Sequence, residues 1–170
     1  MKFIVDFMLG RLCRWLRALG YDTLYFVPKS YQKKGKISNI ITSEKKNGII
    51  LYGLKEDRVI ITRDHRLSSK RALKIVVVKY DKLDKQMKQV FKELKLDIKE
   101  ELIFSRCLIC NTSLEEVKKE RIKDRVPSYV FKTHERFSVC PNCEKVYWKG
   151  THWELIRDKI GEFSLDKIDT

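Results

Sequence analysis

The 170-residue chain is 43% hydrophobic and 35% charged, enough apolar material for an ordinary domain with a compact appendage and too much for a disordered chain. Thirty-seven Lys and Arg against twenty-three Asp and Glu leave +14, which favours a polyanionic partner, and no apolar run reaches the roughly 18–20 residues of a membrane span. Residues 1–100 hold 24 basic and 11 acidic side chains, and residues 101–170 hold 13 and 12, so the basic surface belongs to the first part.

In chain order, residues 2–5 form a short apolar run that ends at Asp6, the pattern of a buried parallel strand. An acid at position 6 is out of place in a signal peptide, so export is not expected and the cytoplasm is the expected compartment. Over residues 7–19, Met8, Leu9, Leu12, Trp15, Leu16 and Leu19 recur at helical spacing, and Gly20 is placed to end the helix. Trp15 is expected in the core. Arg11, Arg14 and Arg17 are three apart, so all three are expected on one side of that helix. Residues 21–27 read as a second strand, 28–48 as a basic stretch that is mostly loop with room for a short helix, and 49–55 as a helix. Residues 58–62 and 75–79 read as strands. Leu83, Met87, Val90, Phe91 and Leu94 then mark one apolar stripe of a helix. Strands alternating with helices give an α/β fold, a parallel sheet flanked by helices. The pattern breaks near residue 100, which divides the chain into a domain over 1–100, a cysteine module over 101–160 and a tail over 161–170.

Four of the five cysteines form two Cys-x-x-Cys pairs, Cys107 with Cys110 and Cys140 with Cys143. Two thiolates on one tight turn share a metal ion, and two such turns supply the four soft ligands of tetrahedral zinc. Two disulfides or a redox pair are the alternatives, and the matched spacing favours zinc. Four thiolates leave no open position for water, so the zinc is expected to be structural, in a small zinc ribbon. The near-neutral ribbon is also a candidate surface for a protein partner. Cys13 reads as a small buried residue.

In an open parallel sheet, ligands bind beyond the carboxyl ends of the strands, where the strand order reverses. Asp6 and Asp64 each follow a predicted strand. If those strands are central, the two carboxylates converge and can hold a hard cation such as Mg²⁺ or Mn²⁺. The alternative is a pair of helix caps or turn acceptors.

The segment Phe3-Ile4-Val5-Asp6-Phe7-Met8-Leu9-Gly10-Arg11-Leu12, then Arg14-Trp15-Leu16-Arg17, Ile61-Thr62-Arg63-Asp64, and the block from Cys140-Pro141-Asn142-Cys143 to Tyr147-Trp148-Lys149-Gly150-Thr151-His152-Trp153 resemble the Mut-seven C-terminal RNase domain family. That resemblance covers residues 1–157. It implies a PIN-like nuclease domain fused to a zinc ribbon, and an endoribonuclease that uses Mg²⁺ or Mn²⁺ to hydrolyse RNA. Asp6 and Asp64 fall on its acidic positions, and Arg11, Arg14, Arg17 and Arg63 become candidate RNA contacts. A further acid is expected just before the helix leading into the Thr62-Arg63-Asp64 strand. That position falls at Lys46 or Asn47, neither of them a carboxylate, and Glu44 is the nearest acid. The alternative function is therefore a non-catalytic RNA-binding protein that kept the nuclease fold and lost an active-site acid. His65 is a weak candidate for proton transfer. Trp148, Trp153 and His152 are expected to pack rather than to bind RNA. The sequence does not fix the oligomeric state.

Overall fold

A computed structural model of the chain describes residues 1–31, 40–43, 47–67, 73–150, 154–156 and 158–160. Glu44 and Lys46, His152, Trp153 and the tail over 161–170 lie outside the described residues. The chain divides into two compact units, Met1–Asn111 and Thr112–Thr170.

The first unit carries five parallel strands: β1 (Lys2–Asp6), β2 (Asp22–Pro28), β3 (Ile40–Ser43), β4 (Val59–Thr62) and β5 (Ile75–Val77). Their order across the sheet is β3-β2-β1-β4-β5. The chain therefore builds outward from β1 on one side, then returns to build on the other, and the reversal falls between β1 and β4. Helix α1 (Gly10–Ala18) packs against β2 and against α3 (Leu83–Leu94), while α2 (Gly48–Lys55) packs against β1 and β4. Alternate residues of the apolar strands serve the two faces. Ile4, Phe26 and Ile60 form a core cluster with Ile49 of α2, and the Phe3 ring meets Tyr21, which meets Phe91 of α3. Phe3, Ile4, Leu12, Leu16, Ile60, Ile61 and Met87 are fully buried, each worth about 1.5–3 kcal/mol of transfer free energy.

The expected elements recur with three differences. Residues 7–9 form a 3-10 turn, so α1 starts at Gly10. Trp15 is half-buried rather than core. The expected loop contains strand β3, whose Ile-Ile-Thr-Ser run pairs in parallel with β2 from Tyr25↔Ile40 to Pro28↔Ser43. Four residues give too short a β-branched run to stand out among flanking lysines, and the neighbouring strand's backbone supplies what local propensity does not.

Helix α1 closes as its glycine foretells. Gly20 has φ +86, the Gly20 N–H donates to Arg17 O and the Tyr21 N–H to Leu16 O, the bond pattern of a left-handed helix stop. A Cβ on Gly20 would stand 2.4 Å from Leu102 O, so the following segment packs onto this turn only because the residue is glycine.

In the second unit, β6 (Glu115–Val117), β7 (Phe137–Val139) and β8 (Val146–Trp148) make a three-stranded antiparallel sheet. Its core is Ile122, Val130 of α4 (Ser128–Thr133) and Phe137. Among the described residues, no helix is long and apolar enough to cross a membrane.

Candidate functional site

Strand β1 ends at Asp6 and β4 at Thr62, so both approach the sheet's carboxyl edge at the point where the strand order reverses. Asp6 is almost fully buried. The fully buried Thr62 hydroxyl donates to Asp6 Oδ2 at 2.7 Å and accepts the Asp64 N–H at 3.0 Å. One hydroxyl thus ties the two candidate acids together. It leaves Asp6 Oδ1 without a hydrogen bond from any described residue. Thr62 went unnoticed as a site residue; its signal was a hydroxyl closing an otherwise apolar strand.

Asp64 is already engaged. Its Oδ1 accepts from the Arg66 N–H and Nε at 3.0 and 2.8 Å, and its Oδ2 accepts from Arg66 Nη2 at 2.7 Å. Hydrogen bonding by Arg66 outweighs a little desolvation and holds the Asp64 carboxyl below its ordinary range. This is the turn-acceptor geometry that local aspartates adopt. The Arg66 side chain is 89% exposed, so the fork is held by a solvated pair of small energetic weight.

The arginines separate. Arg11 and Arg14 are exposed, and Arg63 pairs with Asp81 at 2.6 Å. Arg17 is 3% exposed. Its Nε donates to Thr23 O at 2.8 Å and its Nη1 to Leu108 O and Ile109 O at 3.1 and 2.6 Å. Six residues after Arg11, Arg17 stands about 120° around α1 from it, which turns its guanidinium from the surface into a brace. Asn47 precedes α2, exposed and with no side-chain cap. Among the described residues, no group of three acids lies close enough to hold one ion.

Arg17 reaches the first cysteine turn, and other bonds fasten the same stretch. The Phe104 N–H donates to Ala18 O at 2.7 Å, and Arg106 donates to Gly20 O at 3.1 Å and to Asn111 O at 2.9 Å. Asn111 Oδ1 accepts the Thr23 N–H at 2.9 Å, and its Nδ2 donates to Asp22 Oδ1 at 2.8 Å. Arg58 completes the cluster with an ion pair to Asp22 at 2.7 Å. Burial pushes the Asp22 carboxyl up, but the hydrogen bonds of Arg58 and Asn111 and the charges of Arg58 and Arg106 bring it below its usual value.

The ligand atoms of Cys107, Cys110, Cys140 and Cys143 all lie within 4.8 Å of one another, and the first three are buried. Each pair sits on the same turn. The Asn111 N–H donates to Cys107 O at 2.9 Å, and the Glu144 N–H to Cys140 O at 2.8 Å. The residue after each second cysteine is left-handed, Asn111 at φ +67 and Glu144 at φ +58. In the first turn, the Cys110 N–H also donates to Cys107 Sγ at 3.3 Å, stabilising a thiolate there. The sulfur-only donor set in close array fits a tetrahedral metal ion such as zinc. Cys13 is a different thiol. Burial pushes it up to about 11 against the lowering charges of Arg17 and Arg14, so it stays protonated and unreactive.

A family model, the Mut7-C RNAse domain, matches residues 1–160. No curated protein and no solved structure matches the chain.

Proposed function

The chain belongs to the Mut7-C RNase domain family, and from that premise we propose that it is a metal-dependent endoribonuclease acting on RNA phosphodiester bonds. The observation that supports this is the single Thr62 hydroxyl joining Asp6 and Asp64 at the strand-order reversal. A bound Mg²⁺ or Mn²⁺ supplies an activated water and neutralises charge as the phosphodiester is displaced. Asp6 Oδ1 and the Asp64 carboxylate would hold it, Asp64 giving up its fork with Arg66. Arg11, Arg14 and Arg63 position the phosphates, and the basic first unit draws the polyanion in. The four cysteines hold a structural zinc.

The test is RNA cleavage by the purified chain with Mn²⁺, alongside Asp6→Asn and Asp64→Asn. Cleavage is lost in both variants while RNA binding persists. Turnover that survives both substitutions refutes the assignment.

A second reading, RNA binding without cleavage, has its own support: Arg66 occupies Asp64, and Lys46 or Asn47 stands where a further acid is expected. It predicts no metal-dependent turnover in the wild type. Arg66→Ala separates the two readings further. Freed from its fork, Asp64 binds Mn²⁺ more tightly and cleaves faster if it is a metal ligand, and neither quantity moves if it is only a turn residue.

A further inference from the structure

A cavity of about 490 Å³ runs beside α1 in the first unit. Four arginines line it, Arg11, Arg14, Arg17 and Arg63, against one carboxylate, Asp81, which Arg63 already holds. The residues that lead into α1 and open it, Met8 to Arg11, also line the cavity, and the first turn of that helix has no acidic side chain. The positive end of the helix dipole therefore adds to the same wall. Arg11 and Arg14 have no ion-pair partner among the described residues. Arg17 adds an independent sign. Its hydrogen bonds end on neutral carbonyls, and its buried Nη2 has no hydrogen-bond partner among the described residues. The wall thus carries positive charge that no carboxylate among the described residues matches.

The rest of the lining is of another kind. Leu9, Leu83, Leu108 and Ile109 contribute aliphatic surface, and Met8 is a lining residue left 56% exposed. Unmatched cations beside aliphatic walls, in a volume suited to a small organic ligand, fit a phosphate ester that carries a flat apolar group.

We propose that this cavity is a nucleotide subsite, taking one unpaired nucleotide with its phosphate on Arg11 and Arg14 and its base against Leu83, Leu108 and Ile109. The choice of RNA over other phosphate esters rests on the ribonuclease reading. Asp6 and Asp64 do not line the cavity, whereas their chain neighbours Phe7 and Arg63 do. The nucleotide is therefore held beside the acids, leaving an adjoining phosphodiester to reach them. A base inside a duplex stays stacked, so the subsite selects single-stranded RNA. Leu108 and Ile109 lie between the first two cysteines, which makes the metal-bearing turn part of the substrate wall.

The experiment titrates the full-length Asp6→Asn chain at low salt with uridine monophosphate, uridine and inorganic phosphate, followed by calorimetry. The monophosphate binds at least about tenfold more tightly than either fragment, since each supplies only part of the contact. Arg11→Gln and Arg14→Gln, both at exposed positions, each weaken it about tenfold, as loss of a charge-assisted bond does. Leu83→Trp weakens the nucleotide and spares phosphate; circular dichroism checks that it folds. Inorganic phosphate binding as tightly as the nucleotide overturns the proposal, as does nucleotide binding indifferent to both arginines. RNA cleavage by the wild type with no nucleotide binding removes the subsite and leaves the ribonuclease reading. Nucleotide binding without cleavage supports the subsite and removes the ribonuclease.

Discussion

Thr62→Val keeps the shape of a fully buried side chain and deletes one oxygen. Two hydrogen bonds go with it: a 2.7 Å donation to the Asp6 carboxylate and a 3.0 Å acceptance from the Asp64 N–H. The first is a bond to a charged group, worth about 1.5–3 kcal/mol, and the second about 0.5–1.5 kcal/mol. The methyl that replaces the hydroxyl returns about 1 kcal/mol of apolar burial. The net loss is therefore about 1–3.5 kcal/mol, read as a lowered midpoint in urea at unchanged slope. A double-mutant cycle with Asp6→Ala isolates the bond, because the valine costs least where the carboxylate is already gone. A coupling of about 1 kcal/mol or more is expected. A loss below about 0.5 kcal/mol, or the same loss with and without Asp6, refutes the claim that Thr62 fixes this acid.

Three further outcomes follow from other parts of the structure. Asn111→Ala loses two side-chain bonds and forces alanine to φ +67, whereas Asn111→Gly loses only the bonds, so in urea the alanine variant is less stable by about 1 kcal/mol. Equal stabilities would place no cost on that backbone. The Asp22 carboxyl is depressed in the fold, so its stabilising contribution is complete above the ordinary carboxyl value of about 4 and is lost as pH falls below it. Asp22→Asn flattens that acid limb, and an unchanged acid transition counts against the assignment. Elemental analysis gives about one zinc per chain, chelation melts the β6–β8 sheet by circular dichroism, and Cys140→Ser abolishes the zinc; a metal-free chain with an intact sheet contradicts a structural ion.

The long periodic segments were legible because their chemistry is local. The apolar runs of β1 and β4, the stripes of α1 and α3, and the glycine ending α1 all state their roles within a few residues. The paired cysteines were legible because matched spacing has few other uses. What escaped depends on contacts between distant residues. Strand β3 exists through pairing with β2, and four residues cannot announce a neighbour. Arg17 shares the three-residue spacing of Arg11 and Arg14, yet carbonyls 91 and 92 positions away turn it inward. The partner of Asp64 is only two residues on, but nothing in an Asp-His-Arg string says which way the guanidinium folds. Asn111 combines a local hint, a left-handed position that asparagine tolerates, with bonds to β2 that no local pattern contains.

The two cysteine turns, alike in backbone, are each set by their own contacts before an ion arrives. The first is sewn to its surroundings by Arg17 and Arg106, and its left-handed residue is an asparagine that anchors strand β2. The second closes with a glutamate in a conformation that costs L-residues about 1 kcal/mol. That turn is fastened as well, the Cys140 N–H donating to Lys145 O at 3.0 Å and Arg125 Nη2 to Glu144 O, so in each turn protein bonds have already met part of the entropy cost of fixing the ligands.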